Sequence, residues 1–409
     1  MTNPTCRLCA APLTESFADL GMSPLANSFI TPERARNMEP FYPLQAWVCS
    51  DCRLVQLEQF ETPSHIFSDY FYFSSFSPAW LRHADQYAAD MWARFNLGPA
   101  SKIVEIASND GYLLQYFHQR GAKILGVEPA ANVAQVAIDK GIPTEVAFFG
   151  VDTAQRLRDR GDAADLMAAN NVLAHVPDLH DFVGGFATLL KPEGVATFEF
   201  PHLLRQMQLN QFDTIYHEHF SYLSLGVVKN LLAQHALRVF DIEELPTHGG
   251  SLRVFTCHDA ASHQTTDAPA RILHAEQAAG LDTSAPYRAF ADQVIRVKTD
   301  LLRFLLDARQ NGKTVAGYGA PAKGNTLLNY CGVGPELISF TVDRSHYKQG
   351  TLLPGTRIPV RAPEAIMEAK PDYLLILPWN LKDEITEQMA DIRGWGGQFV
   401  VPIPKLTVL

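Results

Sequence analysis

Two Cys-x-x-Cys knuckles of identical spacing, Cys6-Arg7-Leu8-Cys9 and Cys49-Ser50-Asp51-Cys52, hold four of the six cysteines of this chain. A knuckle bends the backbone until two thiolates converge, and two knuckles complete the tetrahedral four-sulfur shell that zinc prefers. The spacing therefore predicts one structural Zn2+ bound by Cys6, Cys9, Cys49 and Cys52. Two disulfides are the alternative, disfavoured because so short a loop strains the bridge. A four-thiolate shell leaves no open position, so this metal is expected to hold a fold together and to do no chemistry itself. Cys257 and Cys331 read as buried thiols of a reducing cytoplasm.

At 409 residues the chain exceeds one ordinary core, which predicts two or three domains. A composition 47% hydrophobic and 19% charged describes a soluble globular protein. The longest apolar runs, such as residues 373–377, are strand-sized and too short to span a membrane. No charged, apolar leader with a cleavage site opens the sequence, so a cytoplasmic protein is expected, as monomer or weak oligomer. The net charge of -10 argues against a nucleic-acid partner, which needs a broad basic surface. A local basic pocket for one small anion is compatible with it.

The pattern predicts an α/β fold in three parts. Residues 1–75 form a small N-terminal zinc-binding module with β-rich stretches such as 43–48. An aromatic run, residues 70–76, spans its boundary with the next part and is either buried or lines a pocket, a hydrophobic linker between domains being the alternative. Residues 76–255 alternate strand and helix, with strands over 102–106, 123–127 and 195–200, the signature of a Rossmann-like parallel sheet. Residues 256–409 open on a helical pair over 263–311. They continue as a second Rossmann-like domain with strands over 314–318, 337–342 and 373–377.

The strand ending at Ile106 runs into Ala107-Ser108-Asn109-Asp110-Gly111 and a helix beginning near Tyr112. Such a turn brings backbone N–H groups to a ligand at the carboxyl edge of the sheet. The next strand closes on Glu128-Pro129, 17 residues after Gly111, where a carboxylate can accept both hydroxyls of a ribose. Dinucleotide enzymes are usually richer in glycine here. With acidic Glu105 and Asp110 beside the loop, a cationic sulfonium ligand suits it better than a pyrophosphate. The segment 105–111 resembles the first motif of class I S-adenosylmethionine methyltransferases, departing from it at Ala107. Residues 165–176, with Asn170, Asn171 and His175, resemble the strand motif that passes under the methionine moiety. A Rossmann domain for another nucleotide is the alternative.

Tyr216-His217-Glu218-His219-Phe220 concentrates groups that titrate near neutral pH, after the strand ending near Phe200. His-x-His alone is a weak metal signal, and a solvated polar turn is the plain alternative. Further on, Gly317-Tyr318-Gly319-Ala320-Pro321-Ala322-Lys323-Gly324 joins a strand to a helix, with glycines and a lysine suited to a pyrophosphate. It is no Walker loop, and a packing turn with a surface lysine would look similar. Asp343, Arg344, Tyr347, Lys348, Trp379 and Asn380 follow the next strands.

Together with residues 24–29 and His248-Gly249-Gly250, these motifs occur in the order found in nucleotide-sugar C-methyltransferases, which the chain resembles over nearly its whole length. Representatives act in deoxysugar biosynthesis, on the routes to kijanose and mycarose. The resemblance implies S-adenosyl-L-methionine and structural Zn2+ as cofactors and a nucleotide-linked 4-keto-deoxysugar as substrate. It implies cofactor contacts from Glu105, Ala107, Asn109, Asp110, Gly111, Glu128, Pro129, Asn170, Asn171 and His175. It gives nucleotide-sugar contacts to Tyr318, Gly319, Ala322, Lys323, Asp343, Lys348, Trp379 and Asn380. His219 is then the base, Glu218 orients it or touches the sugar, Tyr216 bonds the enolate oxygen, and Tyr72 and His248 are further sugar contacts. The family often carries aspartate where His217 stands. A zinc-ribbon RNA methyltransferase and a nonenzymatic nucleotide-sugar sensor are the competing functions.

Overall fold

The computed structural model describes residues 4–62 and 73–409. The central sheet has seven strands, in the order Thr144–Glu145, Lys123–Val127, Lys102–Ile106, Ala164–Asn170, Leu190–Pro201, Ser251–His258 and Leu237–Leu245. The first five run parallel, Ser251–His258 is antiparallel to them, and Leu237–Leu245 pairs antiparallel with Ser251–His258. Ile103, Val104, Leu166, Met167, Ala196 and Phe198 are buried, which is why these strands read as apolar runs without alternation. Strand order reverses between Lys102–Ile106 and Ala164–Asn170, and an open α/β sheet presents its ligand crevice at the carboxyl ends on either side of that point.

Helix Pro78–Arg94 covers this sheet. Ser77 caps it by accepting the Trp80 N–H, Pro78 fits its first turn, and Ala84, Tyr87, Ala88 and Met91 form the buried face. The expected helical pair is present as Ala268–Ala278 and Ala285–Gln310. In the longer helix Tyr287, Phe290, Val294, Val297, Leu301, Leu305 and Ala308 recur at intervals of three and four, giving one buried stripe.

A second doubly wound sheet follows, in the order Val360–Arg361, Thr341–Val342, Val315–Tyr318, Tyr373–Ile376, Gln398–Val401 and Thr407–Val408. Only its last strand is antiparallel. The strand expected over 337–342 is reduced to Thr341–Val342, because the Leu337 and Ile338 N–H groups are turned back onto the Gly334 carbonyl.

The N-terminal sheet is antiparallel: Glu15–Ser23, Tyr42–Val48, Val55–Leu57 and, as its fourth strand, Ser221–Tyr222. Its core is divided between neighbours. Phe17, Leu20, Leu44, Ala46 and Leu57 pack with the long helix and the C-terminal sheet, Phe17 stacking on Phe290 at 4.5 Å. Cys6, Leu8, Leu13, Cys49 and Leu54 pack with the central domain. No described helix is long and apolar enough to cross a membrane.

Candidate active site and metal centre

The four knuckle sulfurs lie within 4.8 Å of one another, with Cys6–Cys52 and Cys9–Cys49 both at 3.5 Å. A disulfide would place two sulfurs at about 2.05 Å, whereas the edge of a zinc tetrahedron with Zn–S near 2.3 Å is roughly 3.8 Å. All four thiols are free, and the donor set fits Zn2+. Gln56 Nε2 donates to Cys6 Sγ at 3.1 Å, a contact that favours a thiolate.

At the switch point, Ala107, Asn109 and Gly111 take φ of 55°, 50° and 78°, turning the chain sharply back over the strand end. The positive φ of Gly111 favours glycine, and a Cβ there would also meet Ile142 Cδ1 at 2.3 Å, so that side chain would have to shift. Glu128 Oε2 accepts the Asn109 N–H at 3.0 Å and Oε1 the Ala130 N–H at 2.9 Å. Each oxygen keeps a lone pair for a ribose hydroxyl. Burial raises the pKa of Glu128, and the two N–H bonds oppose the rise. Glu105 is wholly buried beneath the loop. Burial pushes its carboxyl well above the usual range, the Tyr112 hydroxyl opposes this, and Asp110 and Glu128 reinforce it.

The Asn170 and Asn171 Oδ1 atoms, at the end of the neighbouring strand, are buried without hydrogen-bond partners. Half-buried Pro129 follows Glu128. Orphan acceptors, a carboxylate pair and a glycine-dependent loop fit a cationic nucleoside such as S-adenosylmethionine. The side chains of Asn109 and Asp110 are turned elsewhere: they accept the Ser74 and Ser75 N–H groups at 2.8 and 3.3 Å, fastening the segment before helix Pro78–Arg94 onto the loop.

His219 and Tyr216 keep partial exposure, while Glu218 is buried. His219 Nδ1 lies 2.8 Å from the Thr214 carbonyl. A carbonyl only accepts, so Nδ1 carries the proton and Nε2 of the neutral ring is open. The Tyr216 and His175 rings stand 4.0 and 4.7 Å from it. Burial holds the His219 pKa well below the ordinary value, and His175, His248 and Lys323 push the same way. His175 and His248 are each lowered to about 4, chiefly by burial. Asn27 donates to Glu218 Oε1 at 2.7 Å, and burial raises that carboxyl to about 7. Thr214, and not Glu218, is thus the group that orients His219. His217 points away, its Nε2 on the Pro43 carbonyl at 3.1 Å and its ring against Tyr42 and Phe60. Tyr72 lies outside the described residues.

Lys323, in the first turn of helix Ala322–Cys331, is half-buried. Its Nζ sits 3.2 Å from Asn380 Oδ1 and 4.8 Å from the Trp379 ring centroid. Trp379 Nε1 in turn donates to Asp213 Oδ2 at 2.7 Å, and Asp213 Oδ1 is buried and unpartnered. Burial raises Asp213 to about 6 and lowers Lys323, each opposed by the other's charge. Asp343 and Lys348 brace the strand-end loop: Asp343 Oδ2 accepts the Ala320 N–H at 2.8 Å and Lys348 Nζ donates to the Ala320 carbonyl at 2.9 Å. Gly319, at φ 88°, packs where a Cβ would strike Pro378 at 2.6 Å. Tyr318 is buried, its hydroxyl donating to Gln388 Oε1 at 3.1 Å. Arg344 pairs with Glu384 at 3.4 Å on the surface, and Tyr347 lies parallel to Phe76 with centroids 6.3 Å apart.

Two buried groups had no signal in the sequence. Asp213 sits in an unremarkable stretch, and its role follows only from Trp379 arriving from another domain. Glu199 bonds His83 at 3.0 Å, Arg253 at 3.2 Å and Thr247 at 3.3 Å, beside His248. Burial would raise it, but His83 and Arg253 hold it below the usual carboxylate range.

Three family models match in sequence order: "Putative zinc binding domain" at residues 6–67, "Methyltransferase domain" at 80–241 and "C-methyltransferase C-terminal domain" at 246–404. C-methyltransferase NovU of Streptomyces niveus is 38% identical over 404 residues, 99% of this chain and 96% of its own. Ubiquinone biosynthesis O-methyltransferase of Bartonella tribocorum is 27% identical over 165 residues, 36% of this chain and 67% of its own. That protein's counterpart in Bartonella bacilliformis is 29% identical over 104 residues, 25% of this chain and 42% of its own. With the four-thiol centre and the cofactor crevice in place, the chain belongs to the zinc-binding, S-adenosylmethionine-dependent C-methyltransferases.

Proposed function

We propose that the enzyme methylates a carbon, C3, of a nucleotide-linked 4-keto-deoxysugar, with His219 as the base. The supporting observation is the His219 ring: its Nδ1–H is committed to Thr214, which leaves Nε2 for a substrate, with the His175 ring 4.7 Å away and Lys323 close enough to act on its charge. A ketone acidifies the neighbouring C–H. His219 Nε2 takes that proton, Tyr216 donates to the enolate oxygen, and the carbanionic carbon is left facing the cofactor crevice. S-adenosylmethionine supplies the electrophilic methyl group. His175 and His248 are neutral at physiological pH, so they add no positive charge that would repel a sulfonium. Trp379, Asn380 and Lys323 then serve the nucleotide-sugar from the C-terminal side.

His219→Asn should bind both ligands normally and lose about 10²- to 10⁴-fold in turnover. It should also slow exchange of the sugar's acidic C–H with deuterated water in the presence of S-adenosylhomocysteine. Normal exchange would remove His219 from the role. One observation favours a second base: Glu218, raised to about 7, is tuned for proton abstraction near neutral pH. Loss of exchange in Glu218→Gln but not in His219→Asn would select it.

A further inference from the structure

The segment carrying His219 has neighbours on two sides, and one of them is the first zinc knuckle. Arg7, between Cys6 and Cys9, donates from Nη1 to the Pro177 carbonyl at 2.9 Å and from Nη2 to the Leu57 carbonyl. Its guanidinium lies 5.3 Å from the ring centroid of Phe220. Its own N–H donates to Gln56 Oε1 at 2.9 Å, and the other end of that amide reaches Cys6 Sγ at 3.1 Å. The Leu57 N–H donates to the Phe220 carbonyl at 3.0 Å, extending the pairing of Gln56 with Ser221. Phe220 is the residue after His219, and Pro177 follows His175 by two. One side chain fixed to the metal centre therefore holds the Pro177 carbonyl on the His175 side and, on the His219 side, the Phe220 ring and the Leu57 carbonyl of the strand paired with it, and the His175 and His219 rings pack against each other.

We propose that Arg7 is a positioning residue: through Phe220 and Pro177 it sets the separation of His175 and His219, so that the zinc knuckle is part of the catalytic framework. The proposal rests on His219 being the base. The planar fork suits the task, since it makes two directed bonds while stacking on a ring, which a lysine cannot do.

The test uses full-length, zinc-loaded protein. Arg7→Ala should keep its zinc stoichiometry and its S-adenosylhomocysteine affinity, and lose about 10- to 100-fold in kcat with KM unchanged. In histidine-15N-labelled protein, the His219 ring should change from a single Nδ1-protonated tautomer to a mixture. Added guanidinium should restore both kcat and spectrum. An undisturbed His219 spectrum, or a kcat within twofold of the parent, overturns the proposal. The spectrum is read without any sugar, so an error in the assigned substrate leaves this test intact. If Arg7→Ala releases zinc, Phe220→Leu decides, because it removes only the ring beneath the guanidinium. A disturbed His219 spectrum with full zinc supports the proposal, and an undisturbed one overturns it.

Discussion

A carboxylate buried with a single amide partner is costly when charged, and Glu218 is such a group. Its folded pKa, about 7, lies above the ordinary value of 4.5, so the folded state holds the proton more tightly than the unfolded state. Stability from this residue is therefore complete below about pH 4.5 and declines as pH rises to about 7. At roughly 1.4 kcal/mol per pH unit the full loss is about 3 kcal/mol. Glu218→Gln keeps an acceptor for Asn27, and urea denaturation should show it about 1–3 kcal/mol more stable than the parent at pH 8 and equal at pH 4.5. His175 and His248 act oppositely: their lowered pKa values give stability above pH 6.5 that is lost as pH falls towards 4. Glu128→Ala should weaken S-adenosylhomocysteine binding about ten- to a hundredfold by calorimetry, the loss of a charge-assisted pair of bonds. His219, Glu128 and Lys323 could be singled out as candidates in the sequence because each sits at a fixed offset from a strand end or within a dense motif. Asp213, Glu199 and the Asn27 contact were not, since a buried polar group is defined by what other segments bring to it.

Among the elements, long apolar strands were readable and two-residue strands were not. Residues 102–106 and 123–127 carry enough consecutive apolar residues to announce themselves, whereas Ser221–Tyr222 has no periodicity and gains strand geometry only from Val55 and Gln56. That short strand should be sensitive to the metal. Removing zinc with a chelator frees the Cys6–Gln56 contact and loosens the pairing beside it. Hydrogen exchange at Leu57 and Tyr222 should accelerate well before exchange in Lys102–Ile106, and uniform acceleration would deny the coupling. Ala107 shows the reverse case, a departure from the expected glycine that the chain accommodates at φ 55°. Ala107→Gly should be neutral or stabilising by up to about 1 kcal/mol in a denaturation series.

For the whole molecule, a three-part organisation followed from composition and motif order, but the division of the N-terminal core did not. Whether Phe17 faces Phe290, or Leu8 faces the central sheet, depends on contacts hundreds of residues apart in sequence. Because the zinc module shares apolar cores with both neighbours, the zinc-loaded enzyme should unfold in one calorimetric transition, and resolved transitions would show the domains to be independent. The borrowed strand also sets a timetable. Leu57 precedes Ser221 by roughly 160 residues, so at about 5–20 residues per second the N-terminal sheet waits roughly 8–30 s on the ribosome with one edge open. An open edge invites pairing with other chains. Synthesis of this enzyme is thus most exposed to aggregation in the interval before Tyr222 emerges, and slower translation would lengthen that interval.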